Sequence, residues 1–337
     1  MSESNLGHLR ITEKITELVG NTPLLHLARF APHPLAAIYA KLEYFNPGFS
    51  IKDRAALGMV LDAEERGFLR PGSTIIEPTA GNTGIGLALV GVARGYKVIL
   101  CVPEGYSREK MKVMEALGGR IEYVSKEVGM QGAIKRAQEL HRQIENSFLP
   151  QQFENPANPD FHERTTGREI IEQMEAQIDA VVIGAGTAGT FTGVSRAVKK
   201  VCQNVFCVLV QPEWSIFDGS PPSNRRTRIE GIGQSQFVPG NFDASCADRI
   251  LTITECEAFA GTREIAATEG VLAGFSSGAA AAAARKIAEE LGAGKRIVTI
   301  FPDSAERYMS QGIFETEPEI APISEKSLQI KGQLTEA

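Results

Sequence analysis

Short β-branched apolar runs that alternate with longer amphipathic segments leave a chain few ways to fold. Runs of this kind stand at residues 36–44, 73–79, 97–103, 120–125, 180–186, 205–211, 249–254 and 296–302. Between most of them lie helical patterns. Residues 52–66 place Ala56, Met59, Val60 and Ala63 at helical spacing and stop at Gly67, and similar patterns occupy 130–145, 158–176, 255–269 and 276–291. The alternation predicts an α/β protein whose mostly parallel sheets are covered by helices. At about 150 residues per domain, 337 residues make roughly two domains. In open α/β sheets ligands bind at the carboxyl ends of strands, so chemistry is expected at the strand-to-helix junctions. Glycine is concentrated there: the chain holds 33, above the usual share of about 7%.

Composition narrows the partners. A net charge of −6 argues against a broad phosphate-backbone surface, so no nucleic-acid partner is expected. No apolar stretch approaches the ~18 residues that span a bilayer, and residues 1–14 lack a secretory pattern. No membrane association and a cytoplasmic location are expected. The five cysteines, at 101, 202, 207, 246 and 256, form no CxxC pair. Cys101, Cys202, Cys207 and Cys256 lie in or beside apolar runs and read as small buried hydrophobes. The histidines at 8, 26, 33, 141 and 162 have no metal-ligand spacing, so no metal site is expected.

Four junctions carry candidate chemistry. In NPGFSIKDR (46–54) a turn leads into a helix that opens on Lys52. The positive end of a helix disfavours an ammonium, and a neutral amine is what Schiff-base chemistry requires; read alone, without the other junctions, the residue is a solvated surface lysine. EPTAGNTG (77–84) follows a strand. Its small residues let backbone N–H groups converge on an anion such as a carboxylate, with Thr79, Asn82 and Thr83 as side-chain donors; an N-capped turn uses the same residues. GAGTAGT (184–190) satisfies G-x-G-x-x-G after a strand, with Glu213 where a ribose-binding acid is expected. That pattern suits a dinucleotide, whereas the hydroxyls of Thr187 and Thr190 suit a compact phosphomonoester. In GFSSG (274–278) Ser276 can face a ring nitrogen or cap a helix.

In this order, the junctions resemble the cysteine synthase/cystathionine β-synthase family of pyridoxal 5′-phosphate (PLP) enzymes, fold type II, on the side of the bacterial O-acetylserine sulfhydrylases. VGNTPLL (19–25), KLEYFNPGFSIKDR (41–54), EPTAGNTGIGLAL (77–89), PQQFENPANPDFHERTTGREI (150–170), GAGTAGTFTGV (184–194), EGIG (230–233), GFSSGAA (274–280) and FPDSAERYMS (301–310) carry the likeness. It implies a tryptophan synthase β-like fold of two α/β domains with PLP in the cleft between them. The expected division is a smaller N-terminal domain, 47–156, with the carboxylate-binding turn, and a larger one, 12–46 plus 157–314, with the phosphate-binding loop. Residues 315–337 are expected to form a polar, loosely held tail.

By the same resemblance Lys52 is the catalytic lysine that binds PLP as a Schiff base. Asn82, Gly186, Thr187, Ala188, Gly189, Thr190 and Ser276 hold the cofactor. Thr79, Ala80, Gly81, Asn82, Thr83, Gln152 and Gly231 face the substrate. The implied activity is β-replacement: O-acetyl-L-serine plus sulfide gives L-cysteine and acetate. Homocysteine as nucleophile, with serine or O-acetylserine as donor, would instead make the chain a cystathionine β-synthase, and O-phosphoserine is a further alternative donor. A nicotinamide oxidoreductase, resting on Gly184–Gly189, is the reading from another class. A homodimer and docking of serine acetyltransferase are further expectations of the resemblance. Three residues depart from it: Ala80 stands where many relatives carry serine, Ala188 where glycine is common, and Trp214 where small residues are usual. Trp214 reads as a packed aromatic, and the 218–228 stretch, with Arg225, Arg226 and Arg228, as a solvated loop.

Overall fold

A computed structural model describes residues 11–225 and 227–315. Two sheets organise it. The strands are β1 (Leu24–His26), β2 (Ala37–Leu42), β3 (Thr74–Pro78), β4 (Lys97–Pro103), β5 (Arg120–Val124), β6 (Ser147–Phe148), β7 (Ala180–Gly184), β8 (Phe206–Pro212), β9 (Arg249–Ile253) and β10 (Arg296–Phe301). The six-stranded sheet runs β1-β2-β10-β7-β8-β9 and the four-stranded sheet β5-β4-β3-β6. All neighbours pair parallel except β1, which lies antiparallel on β2. The central β7 and β8 are buried almost end to end, as strands covered on both faces must be.

The helices are α1 (Lys52–Glu65), α2 (Asn82–Arg94), α3 (Arg108–Ala116), α4 (Gly129–Gln143), α5 (Ala157–His162), α6 (Arg168–Gln173), α7 (Gly189–Val201), α8 (Glu255–Glu269) and α9 (Phe275–Leu291). Local sequence explains their ends. Thr254 and Glu257 form a capping box at the start of α8, and Gly95 and Gly270 close α2 and α8 in the left-handed conformation. The alanines of α9 are buried apart from half-buried Ala282, and its Gly278 leaves no room for a side chain: a Cβ there would lie 2.0 Å from the Ala258 carbonyl. Lack of side chains thus lets α8 and α9 meet backbone to backbone.

The eight strand-forming runs and the two-sheet α/β architecture agree with the sequence reading, and the fold is type II. The differences are physical. β1, β6 and α3 were not expected: β1 and β6 are three and two residues long, too short for a period, and α3 buries only Lys110, Met111 and Met114. The helical stretch expected at 158–176 runs without interruption from 157 to 173 but widens into a π-turn at Glu163–Gly167 between α5 and α6, which seats Gly167 against Ala197 of α7. Cys256 is exposed rather than buried as expected, because it sits in the first turn of α8; Cys246 is buried. Among the described residues no helix is long and apolar enough to cross a membrane, and no cluster of His, Cys, Asp and Glu could hold a metal. Arg226 and most of the expected tail, 316–337, lie outside the described residues.

Candidate active site

The carboxyl ends of β3, β7 and β10 converge on one cavity of about 230 Å³. Lys52, the first residue of α1, projects into it. Burial lowers the pKa of its amine, while the negative charge of Asp303 opposes the change. Both effects bear on one atom, Nζ, and burial wins.

The turn after β3 supplies Thr79, Gly81, Asn82 and Thr83 to the wall. Thr83 Oγ1 donates to Gln152 Oε1 at 2.7 Å; Gln152 arrives from the segment after β6 and lines the same cavity. The Asn82 amide is engaged at both ends, donating through Nδ2 to Asp303 Oδ2 at 2.6 Å and accepting at Oδ1 from Arg307. Tyr308 also donates its hydroxyl to Asp303 Oδ2 at 2.6 Å. Burial raises the Asp303 carboxyl, and these two donors pull it back. Its Oδ1 is buried and makes no hydrogen bond among the described residues.

Opposite lies the loop 184–190, which runs from β7 into the N-terminus of α7. Gly186, Thr187, Ala188 and Thr190 line the cavity. Ala188 adopts φ 63, a left-handed turn that aims successive N–H groups the same way. A Cβ on Gly186 would come 2.2 Å from the Gly231 carbonyl, so the loop can lie against the 230–233 segment only as glycine. His162 Nε2 meets Thr190 Oγ1 at 3.2 Å, and its Nδ1 meets Thr166 Oγ1 at 2.9 Å. Burial, helped by the positive charges of Arg54 and Lys52, keeps this imidazole neutral. Ser276, in the first turn of α9, adds a hydroxyl to the wall.

The structure therefore gathers the residues singled out in the sequence around one cavity, with two exceptions. Ala80 lines a second, outer cavity, and Gly189 sits behind the loop against Asn158. Asp303, Tyr308, Asn158 and Glu77 were not singled out. The first two lie inside the FPDSAERYMS motif and Glu77 heads EPTAGNTG, but only the fold reveals their partners.

The outer cavity, about 710 Å³, adjoins the first and shares Thr79, Gly81, Gln152 and Gly231 with its wall. Trp214 is on its wall, 46% exposed rather than packed as expected. The Arg225 guanidinium stacks on its ring at 3.8 Å from the centroid, so part of the expected solvated loop is a built wall. The reason is backbone shape: Trp214 has φ 69, in a turn after β8.

These features fit PLP on the structure's own terms. A helix N-terminus with a glycine-built loop and two threonine hydroxyls suits a phosphate, a buried amine suits an aldehyde, and Ser276 offers the wall a neutral partner for a ring nitrogen. An α/β fold that brings a lysine amine, the glycine-bearing turn after β3 and a glycine-built helix N-terminus to one cleft fits the class of cofactor-dependent enzymes. The model of the family described as "Pyridoxal-phosphate dependent enzyme" matches residues 15–303, and the chain belongs to that family. It is a PLP-dependent enzyme, so the dinucleotide reading of Gly184–Gly189 falls away. An O-acetylserine dependent cystathionine beta-synthase of Bacillus subtilis is 47% identical over 91% of this chain and 99% of its own length. A cysteine synthase of Staphylococcus aureus is 43% identical over 90% and 97%. The crystal structure of cysteine synthase from Entamoeba histolytica superposes with a TM-score of 0.88 at 35% identity, covering 95% of this chain and 96% of that one.

Proposed function

We propose that the chain catalyses β-replacement on O-acetyl-L-serine, with sulfide as nucleophile, to give L-cysteine and acetate. The observation that carries it is the convergence of Lys52, the 79–83 turn with Gln152, and Ser276 on one cavity. Bound PLP supplies an electron sink for the pair left at the substrate's Cα. Lys52 anchors the cofactor, and its amine, depressed by burial, then takes the Cα proton. The N–H groups at the head of α2, Thr79, Thr83 and Gln152 hold the substrate carboxylate. Thr187, Thr190 and the α7 N-terminus hold the cofactor phosphate. Ser276, a hydroxyl rather than a carboxylate, leaves the ring nitrogen unprotonated, which favours loss of acetate from Cβ over transamination. Acetate leaves before sulfide adds, so two half-reactions follow one another in ping-pong order.

A second reading keeps the donor and uses homocysteine, giving cystathionine. The outer cavity favours it: Glu104, Lys126, Glu213 and Arg225 bring charges of both signs to its wall, matching a nucleophile with its own ammonium and carboxylate. The deciding experiment supplies O-acetylserine, serine and O-phosphoserine separately, each with sulfide or homocysteine, and identifies products by mass spectrometry. Cysteine from O-acetylserine and sulfide supports the first reading, cystathionine the second. No product from any pair overturns both.

A further inference from the structure

Glu77, at the end of β3, is 2% exposed, and among the described residues no cation offsets its charge: N–H groups do. Its two carboxylate oxygens each accept one backbone N–H from consecutive residues, Gln151 at 3.0 Å and Gln152 at 3.2 Å, and the Gln152 side chain adds a further hydrogen bond. Gln151 holds φ 55, the left-handed turn that lets two successive N–H groups point at one anion. Burial pushes the carboxyl up to about 7 against these bonds. A buried charge without a counter-ion is costly to fold around, so a neutral side chain would serve stability better.

What the charge accomplishes is visible one residue further on. The Gln152 carbonyl accepts from Asn158 Nδ2 at 2.9 Å and from Asn241 Nδ2 at 2.8 Å, while its side chain accepts from Thr83. Asn158 Nδ2 also donates to Thr187 Oγ1 at 3.2 Å in the phosphate-type loop. Gln152 is therefore gripped on every side, with Glu77 holding its N–H.

We infer that Glu77 is a positioning residue for the amino-acid substrate: its carboxylate sets the Gln151–Gln152 backbone so that Gln152 and Thr83 present their polar groups to the substrate carboxylate. The inference rests on the reading of Gln152 and Thr83 as carboxylate-binding residues. The test is steady-state kinetics on the holoenzyme. Glu77→Gln keeps the volume but turns an amide N–H toward a backbone N–H. Its KM for O-acetylserine should rise about tenfold or more with kcat nearly unchanged. The cofactor absorbance should be retained, a pattern that general loosening would not give. Combined with Gln152→Ala, it should add nothing further, since both act on one contact. An unchanged KM in Glu77→Gln, or effects that add in full, overturns the inference. If Gln152→Ala itself leaves KM unchanged, the carboxylate reading falls and the inference with it; a raised KM in Gln152→Ala alone sinks only the inference. Should Glu77→Gln fail to fold, Glu77→Asp, which keeps the charge and withdraws it by one methylene, carries the same test.

Discussion

Asn82 donates its amide to Asp303 across 221 residues of chain, at 2.6 Å. The contact ties the turn after the small sheet's β3 to the end of the large sheet's β10, and the same carboxylate bears on Lys52. Asp303→Asn removes the charge that favours the Lys52 ammonium. In cofactor-free protein, acylation of Lys52 followed by mass spectrometry should therefore begin at lower pH than in the parent. An unmoved or upward-shifted profile would show that Asp303 does not act on this amine.

Gly186 and Gly81 should respond oppositely to alanine. A methyl on Gly186 meets the Gly231 carbonyl at 2.2 Å, backbone against backbone, whereas nothing lies within 4 Å of the corresponding position on Gly81. Gly186→Ala is expected to cost about 1–3 kcal/mol of unfolding free energy and to weaken cofactor retention. Gly81→Ala should melt within about 0.5 kcal/mol of the parent. Urea denaturation and cofactor absorbance after dialysis distinguish them.

Acid stability should follow Glu169. Burial would raise its carboxyl, but hydrogen bonds and charge from Arg54 and Lys41 outweigh it and bring it down to about 2. A depressed carboxylate stabilises the fold above its unfolded pKa, near 4.5, and loses that contribution as pH falls toward 2. The difference of two to three pH units corresponds to on the order of 3 kcal/mol. The stability gap between the parent and Glu169→Gln should accordingly be widest above pH 4.5 and narrow toward pH 2. A constant gap across that range would contradict the assignment.

Arg225 and Trp214 bear on the choice of nucleophile. If homocysteine is used, Arg225→Ala should raise its KM several-fold while the kinetics with sulfide, which has no carboxylate to hold, stay the same. Trp214→Ala should act in the same direction, because the ring seats the guanidinium. Equal effects on both nucleophiles would place the pair outside nucleophile selection.

Much of the fold and of the candidate site is legible in the sequence because both are written in local signals. Lys52 opens a helix, the glycine-bearing turns follow strands, and the β-branched runs terminate where the strands do. Partners distant in the chain are another matter. Nothing near Glu77 foretells Gln152, 75 residues on, and nothing near Asn82 foretells Asp303. The charge-dense REKMKVMEA of α3 hides its few buried positions among lysines and glutamates. Trp214 shows the converse: aromatic character suggested packing, and a left-handed backbone turned it outward.

The strand order sets a timetable for biosynthesis. β2 lies between β1 and β10, pairing with the latter from Ala37↔Arg296 to Leu42↔Phe301, so a strand made early waits for the last one. Lys52 emerges soon after β2, yet the wall it faces is completed only by Ser276 and Asp303. A ribosome must release nearly the whole folded chain before the cleft can close around a cofactor. Fragments truncated before β10 should thus be unable to retain PLP, which keeps a reactive aldehyde out of half-made enzyme.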